Sequence, residues 1–145
     1  MNRLLLLPML LSSVFAFAHE GGHEPRFEEM TRERGTVAPV VLASEAALGP
    51  KAAEVYTAEL VRAGDGGVKV LLYAADLGRL SEKAKGVVVT VKEGKTKKVS
   101  FGLTLDRGLS AYVGRPPLAA SKPYTIEVSF SEGKRKLSSS FVNLD

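Results

Sequence analysis

The residues best suited to chemistry are two histidines, which stand close together in His19-Glu20-Gly21-Gly22-His23-Glu24. A neutral imidazole offers a ring nitrogen to a metal ion, and Gly21 and Gly22 let the intervening backbone bend so that both rings can meet one ion. Directly before them, Ala16-Phe17-Ala18 has the small-x-small pattern at which a signal peptidase cuts. A cut after Ala18 makes His19 the new amino terminus. Its amine and ring nitrogen, joined by His23, then supply three nitrogens toward the tetragonal geometry that suits Cu(II). A cut after Ala16 leaves Phe17-Ala18-His19, in which the amine, two deprotonated amides and the imidazole also bind Cu(II) or Ni(II). Glu20 and Glu24 add hard oxygen ligands, which serve copper less well than nitrogen.

The same segment also reads as a soluble linker whose histidines are incidental. Zinc is poorly served, because a structural site draws a full tetrahedral set from cysteine and histidine, and the chain has no cysteine and two histidines. Met1 and Met9 fall in the leader and Met30 stands alone, which excludes a methionine-rich Cu(I) site. A serine or threonine nucleophile needs a histidine in the folded site, yet both histidines precede the folded region. Asp65 and Asp106 read as turn residues, not as a carboxylate pair for glycoside chemistry. The glycine run at 64–67 is followed by no helix, so it does not read as a phosphate loop. The expectation is a protein that is not an enzyme.

Two basic clusters, at 92–98 and 134–136, fall at predicted hairpin tips. They can meet phosphate or anionic lipid, or simply keep strand edges soluble. The aromatic residues Tyr56, Tyr73, Phe101, Tyr112, Phe130 and Phe141 fall mostly on strands and read as core, without the interleaved basic residues of a single-strand-binding face.

The elements that must carry these residues follow from the wider pattern. Arg3, the apolar run from Leu4, and Ala18 at its end match the three parts of an export signal. A membrane span needs about 20 apolar residues, and this run is shorter and holds Ser12 and Ser13. Removing 18 of 145 residues leaves 127, enough for one modest core. Without Arg3 the charge count is 19 basic against 16 acidic, a net of +3, which implies no nucleic acid. Export without disulfides favours a bacterial periplasm.

Residues 36–42 predict an edge strand, since Pro39 cannot donate to a central ladder. Residues 43–53 read as a connector. Beyond them the pattern alternates in short runs. Tyr56, Ala58 and Leu60 face one way against Thr57 and Glu59, and after 64–67 the phase resumes with Val68, Val70, Leu72 and Ala74. Val87, Val89 and Val91 pair through a tip at 93–98 with Val99, Phe101, Leu103 and Leu105. Residues 111–113 form a short strand. Tyr124, Ile126, Val128 and Phe130 return after 131–134 through residues 137–144. About seven strands without a helical period predict an all-β, immunoglobulin-like antiparallel β-sandwich.

Leu118, Ser121-Lys122-Pro123 and Tyr124 resemble the loop and tyrosine that begin the penultimate strand of immunoglobulin-like sandwiches. With Tyr73 and Asp76, residues 54–142 resemble the small exported domains of the FixH-like and YtkA-like kind. That resemblance implies a periplasmic domain associated with copper handling or metal efflux. No histidine follows His23, so ligands inside the sandwich are missing from the pattern.

The organisation expected is a signal peptide at 1–18, a flexible tail at 19–35 and a β-sandwich at 36–145. The function expected is a periplasmic or secreted binding module, released by cleavage after Ala18, that captures Cu(II) or another divalent metal on His19 and His23. A structural or protein-interaction domain of the envelope, without metal, is the alternative. Neither reading calls for nucleic acid or a membrane anchor.

Overall fold

Runs in which every second side chain is apolar become strands where one face can be buried. The computed structural model describes residues 33–63, 66–74, 80–116 and 124–144 and bears out an all-β fold. Its strands are β1 (Thr36–Leu42), β2 (Glu54–Arg62), β3 (Val68–Tyr73), β4 (Lys85–Glu93), β5 (Lys97–Gly102), β6 (Thr104–Asp106), β7 (Ala111–Gly114), β8 (Tyr124–Glu132) and β9 (Arg135–Leu144). The stretch read as a connector is a short 3-10 helix, Ala43–Lys51, interrupted at Gly49 (φ 57°) before Pro50.

The three hairpins read from the alternation are present. In β2–β3, Ala58 faces Leu72 and Leu60 faces Val70. In β4–β5, Val89 faces Phe101 around a tip with Gly94 at φ 62°. In β8–β9, Val128 faces Ser139, and Gly133 (φ 58°) follows Glu132 at the tip. In the two-residue turn at 133–134 a positive φ at the first turn residue suits the right-handed twist of the flanking strands, whereas Gly94 opens a three-residue turn at 94–96.

Where the expectation was two sheets of about seven strands, the structure has one nine-strand sheet in the order β5-β4-β8-β9-β1-β2-β3-β7-β6, all antiparallel, nearly closed into a barrel. The cause is the single extended run 97–106. It pairs with β4 as β5, bends at Leu103, whose N–H donates to the Val87 carbonyl at 2.8 Å, and pairs with β7 as β6. One run therefore lies at both ends of the strand order. At this seam β7 comes very close, for a Cβ added to Gly114 would lie 2.8 Å from the Gly102 carbonyl oxygen.

β1 is also corrected, from an edge strand to an interior one between β2 and β9. Proline is tolerated there because the ladder to β9 begins only at Val40, one residue beyond Pro39. The Pro39 carbonyl accepts a 2.8 Å bond from the Ser139 hydroxyl.

Val40, Ala58, Val70, Leu72, Val89, Tyr112, Ile126, Val128, Leu137 and Phe141 fill the barrel, each almost wholly buried. Each large apolar side chain so buried contributes about 1.5–3 kcal/mol. A second, smaller cluster of Leu71, Tyr73 and Ala111, with Val61 and Leu80 against it, covers the outside of β2, β3 and β7. The opposite outer face, on β5, β4, β8 and β9, is polar. Ser100, Thr90, Glu127 and Ser140 stand in register across it, and Lys85, Ser131 and Lys136 form another row toward one end.

Candidate functional site

The Glu132 end of the barrel collects polar groups around a cavity. β2 brings Tyr56, the β8–β9 tip brings Glu132 and Arg135, and the chain leaving β3 returns through residues 80–84 on its way to β4. That return is held by the Ser81 N–H, which donates to the Leu72 carbonyl at 2.7 Å, and by the Ala84 N–H, which donates to the Tyr112 hydroxyl at 3.0 Å. A cleft of about 400 Å³ opens between them, lined by Tyr56, Ala74, Leu80, Ser81, Glu82 and Lys83.

The Tyr56 hydroxyl donates to one Glu132 oxygen at 2.5 Å, and Arg135 donates to the other at 2.9 Å. Donating a hydrogen bond to this carboxylate, together with burial, raises the Tyr56 phenol above its ordinary range, though the Ser81 hydroxyl acts the other way. Burial alone would push the Glu132 carboxyl up. The bonds from Tyr56 and Arg135, with the Arg135 and Lys83 charges, outweigh it and hold the group below its ordinary value. Tyr112, raised mainly by its burial, keeps its proton as well. At neutral pH the rim thus presents an oriented phenol beside a charge-paired carboxylate, groups able to hydrogen-bond a molecule entering the cleft.

A second polar cluster lies on the outside of β2. Glu59 is fully buried there, accepting from the Gly35 N–H at 2.6 Å on one oxygen and from the Tyr73 hydroxyl at 2.6 Å on the other. Glu33 beside it pairs with Lys69 at 3.1 Å. The last residues of the segment read as a tail, Glu33 to Gly35, are therefore in contact with the barrel. Glu59 was read as an outward residue. Its signal lay in β3, where Leu71 and Tyr73 are apolar in the same phase as Glu59, so that face had to be covered.

His19 and His23 lie outside the described residues, as do Asp65 and Asp76. Asp106, read as a turn residue, is the last residue of β6 and closes the turn that follows, its carboxylate accepting from the Leu109 N–H at 3.2 Å. In the basic clusters, Lys92 pairs with Glu127 and Lys97 with Glu93. Of the aromatic residues read as core, Tyr73, Tyr112, Phe130 and Phe141 are buried, whereas Tyr56 stands half-buried at the cleft. Among the described residues, no group of three or more His, Cys, Asp or Glu side chains can hold a metal, and no helix is long and apolar enough to cross a membrane.

No family model, curated protein or solved structure matches the chain.

Proposed function

We propose that this chain is an exported, non-enzymatic binding module that captures a divalent metal ion, copper(II) foremost, on His19 and His23, with the β-barrel as the body that carries them. The observation behind it is that both histidines of the chain fall within five residues, directly after a small-x-small cleavage pattern. The attachment of Gly35 to Glu59 supports it, since twelve positions separate Gly35 from His23. Twelve residues span at most about 40 Å whatever their conformation, so a captured ion stays tethered to the barrel. The resemblance of residues 54–142 to FixH-like and YtkA-like exported domains points the same way.

The test is calorimetric titration of Cu(II) into the mature chain, its terminus identified by sequencing, beside a His19→Ala/His23→Ala variant. Strong one-to-one binding by the native chain and its loss in the variant are expected. Equal, weak binding by both removes the reading.

A second reading, an envelope interaction domain without metal, is favoured by the cleft at the Glu132 end. There a Tyr56→Ala change would abolish partner capture while Cu(II) binding stays intact.

A further inference from the structure

The barrel is clothed unequally. Outside β2, β3 and β7 an apolar cluster and the segment at 33–35 cover the strands, whereas outside β5, β4, β8 and β9 the described residues leave hydroxyls and amines exposed. Residues directly opposite in a ladder project to the same side. Ser100, Thr90 and Ser140 therefore share one row across that face, with the Thr90 and Ser100 hydroxyls 2.8 Å apart. Neighbouring strands place such groups about 4.8 Å apart in a regular array.

Lysines frame this array at both ends. At one end Lys98 stands opposite Lys92, and Lys92 is already engaged by Glu127. At the other end Lys85 and Lys136 flank Ser131. Lys85 reaches this side because of Gly86. Between Lys85↔Ser131 and Val88↔Ser129, β4 spends one residue more than β8, and Gly86 at φ 60° takes the bulge. Without it, strict alternation would direct Lys85 inward with Val87 and Val89. Lys85, Lys98 and Lys136 are exposed and have no ion-pair partner among the described residues. Lys85 and Lys92 lie seven residues apart on β4, a separation of roughly 23 Å at about 3.3 Å per residue.

We propose that this face binds an anionic polysaccharide, with Lys85, Lys98 and Lys136 meeting its acidic groups and Thr90, Ser100 and Ser140 hydrogen-bonding its ring hydroxyls. The charge on the face is complementary to such a chain, and the hydroxyl rows offer both donors and acceptors to sugars. A lipid surface fits less well, because among the described residues the one exposed large apolar side chain on these strands is Val142, while Leu48 and Leu109 lie elsewhere. Nucleic acid fits less well too, since among the described side chains the face offers no exposed aromatic ring for a base to stack on. This site is independent of the histidine segment.

The experiment measures binding of the full mature chain to polygalacturonate, neutral dextran and phosphatidylglycerol vesicles. It compares Lys85→Ala/Lys136→Ala with Arg34→Ala/Arg107→Ala, which removes the same charge from exposed positions off the face. Polygalacturonate affinity should fall about fivefold to tenfold in the lysine variant and less than about twofold in the arginine variant. Ser100→Ala/Ser140→Ala should weaken binding without changing its salt dependence, because no charge is lost. Equal weakening by the two charge variants, dextran binding as tight as polygalacturonate, or binding to vesicles in place of polygalacturonate would each overturn the proposal.

Discussion

Tyr73 and Glu59 meet on the outside of the barrel, not within it: the phenol of β3 donates at 2.6 Å to a carboxyl oxygen of β2 that is fully buried. The second oxygen takes the Gly35 N–H, so one side chain ties two strands to the segment that precedes β1. A buried donor left without its acceptor costs far more than an average hydrogen bond contributes. Glu59→Ala is therefore expected to lose about 2–4 kcal/mol in chemical denaturation, and Glu59→Gln about 1 kcal/mol, since its amide oxygen retains one acceptor.

Gly35 has its own steric reason to be glycine. An added Cβ would lie 2.4 Å from the Leu60 carbonyl oxygen and 2.9 Å from a Val61 methyl, and a backbone oxygen in a ladder cannot step aside. Gly35→Ala should release the segment at 33–35 while leaving the barrel folded. Hydrogen exchange would record this as faster exchange at residue 35 with the β2–β3 amides still protected.

The Tyr56–Glu132–Arg135 group sets a pH dependence. Glu132 has a folded pKa below its unfolded one, so its stabilisation is present above the ordinary carboxyl range and is lost as pH falls through the depressed value. Tyr56 is raised, so its contribution is present below the ordinary phenol range and is lost as pH rises through the raised value. Tyr56→Phe should cost about 1 kcal/mol at neutral pH, the group being partly solvated. The difference should shrink in urea melts as the pH falls through the depressed Glu132 value and the carboxylate takes up its proton. A difference unchanged in acid would mean that the phenol does not act through the carboxylate.

The seam at Leu103 makes a contrast between two glycines. At Gly114 a methyl would strike the Gly102 carbonyl oxygen at 2.8 Å and the Leu103 side chain at 2.7 Å, whereas at Gly94 it meets nothing and pays only for φ 62°. Gly114→Ala is expected to cost about 1–3 kcal/mol through overpacking, and Gly94→Ala about 1–2 kcal/mol through backbone strain. Thermal melting gives both values. Only the Gly114 change should also speed exchange of the Leu103 amide, which is bonded to Val87 across the seam.

The period-2 pattern made the hairpins legible, because Ala58, Leu60, Val70 and Leu72, like Val87 and Val89, must share an interior wherever strands form. The pairing of distant strands was not legible. Whether the run 97–106 stays in one ladder or bends to join two depends on Leu103 and on the close approach of Gly114, and local alternation is the same in both cases. Pro39 misled for a related reason: its missing N–H excludes a strand interior only where a partner lies opposite on that side, and β9 begins to pair one residue later. At the candidate site, Tyr56 and Glu132 are 76 positions apart, and nothing local to either residue announces the other. Glu59 was hidden because alternation sets the phase of a face without saying whether another segment covers it.

β1 closes on β9, and the bond from Ser139 to Pro39 spans one hundred positions of the chain. A polypeptide emerging amino end first therefore holds one flank of β1 open until residues 137–139 of β9 arrive. A chain cut short before residue 137 is left with an unsatisfied rim ready to join another copy.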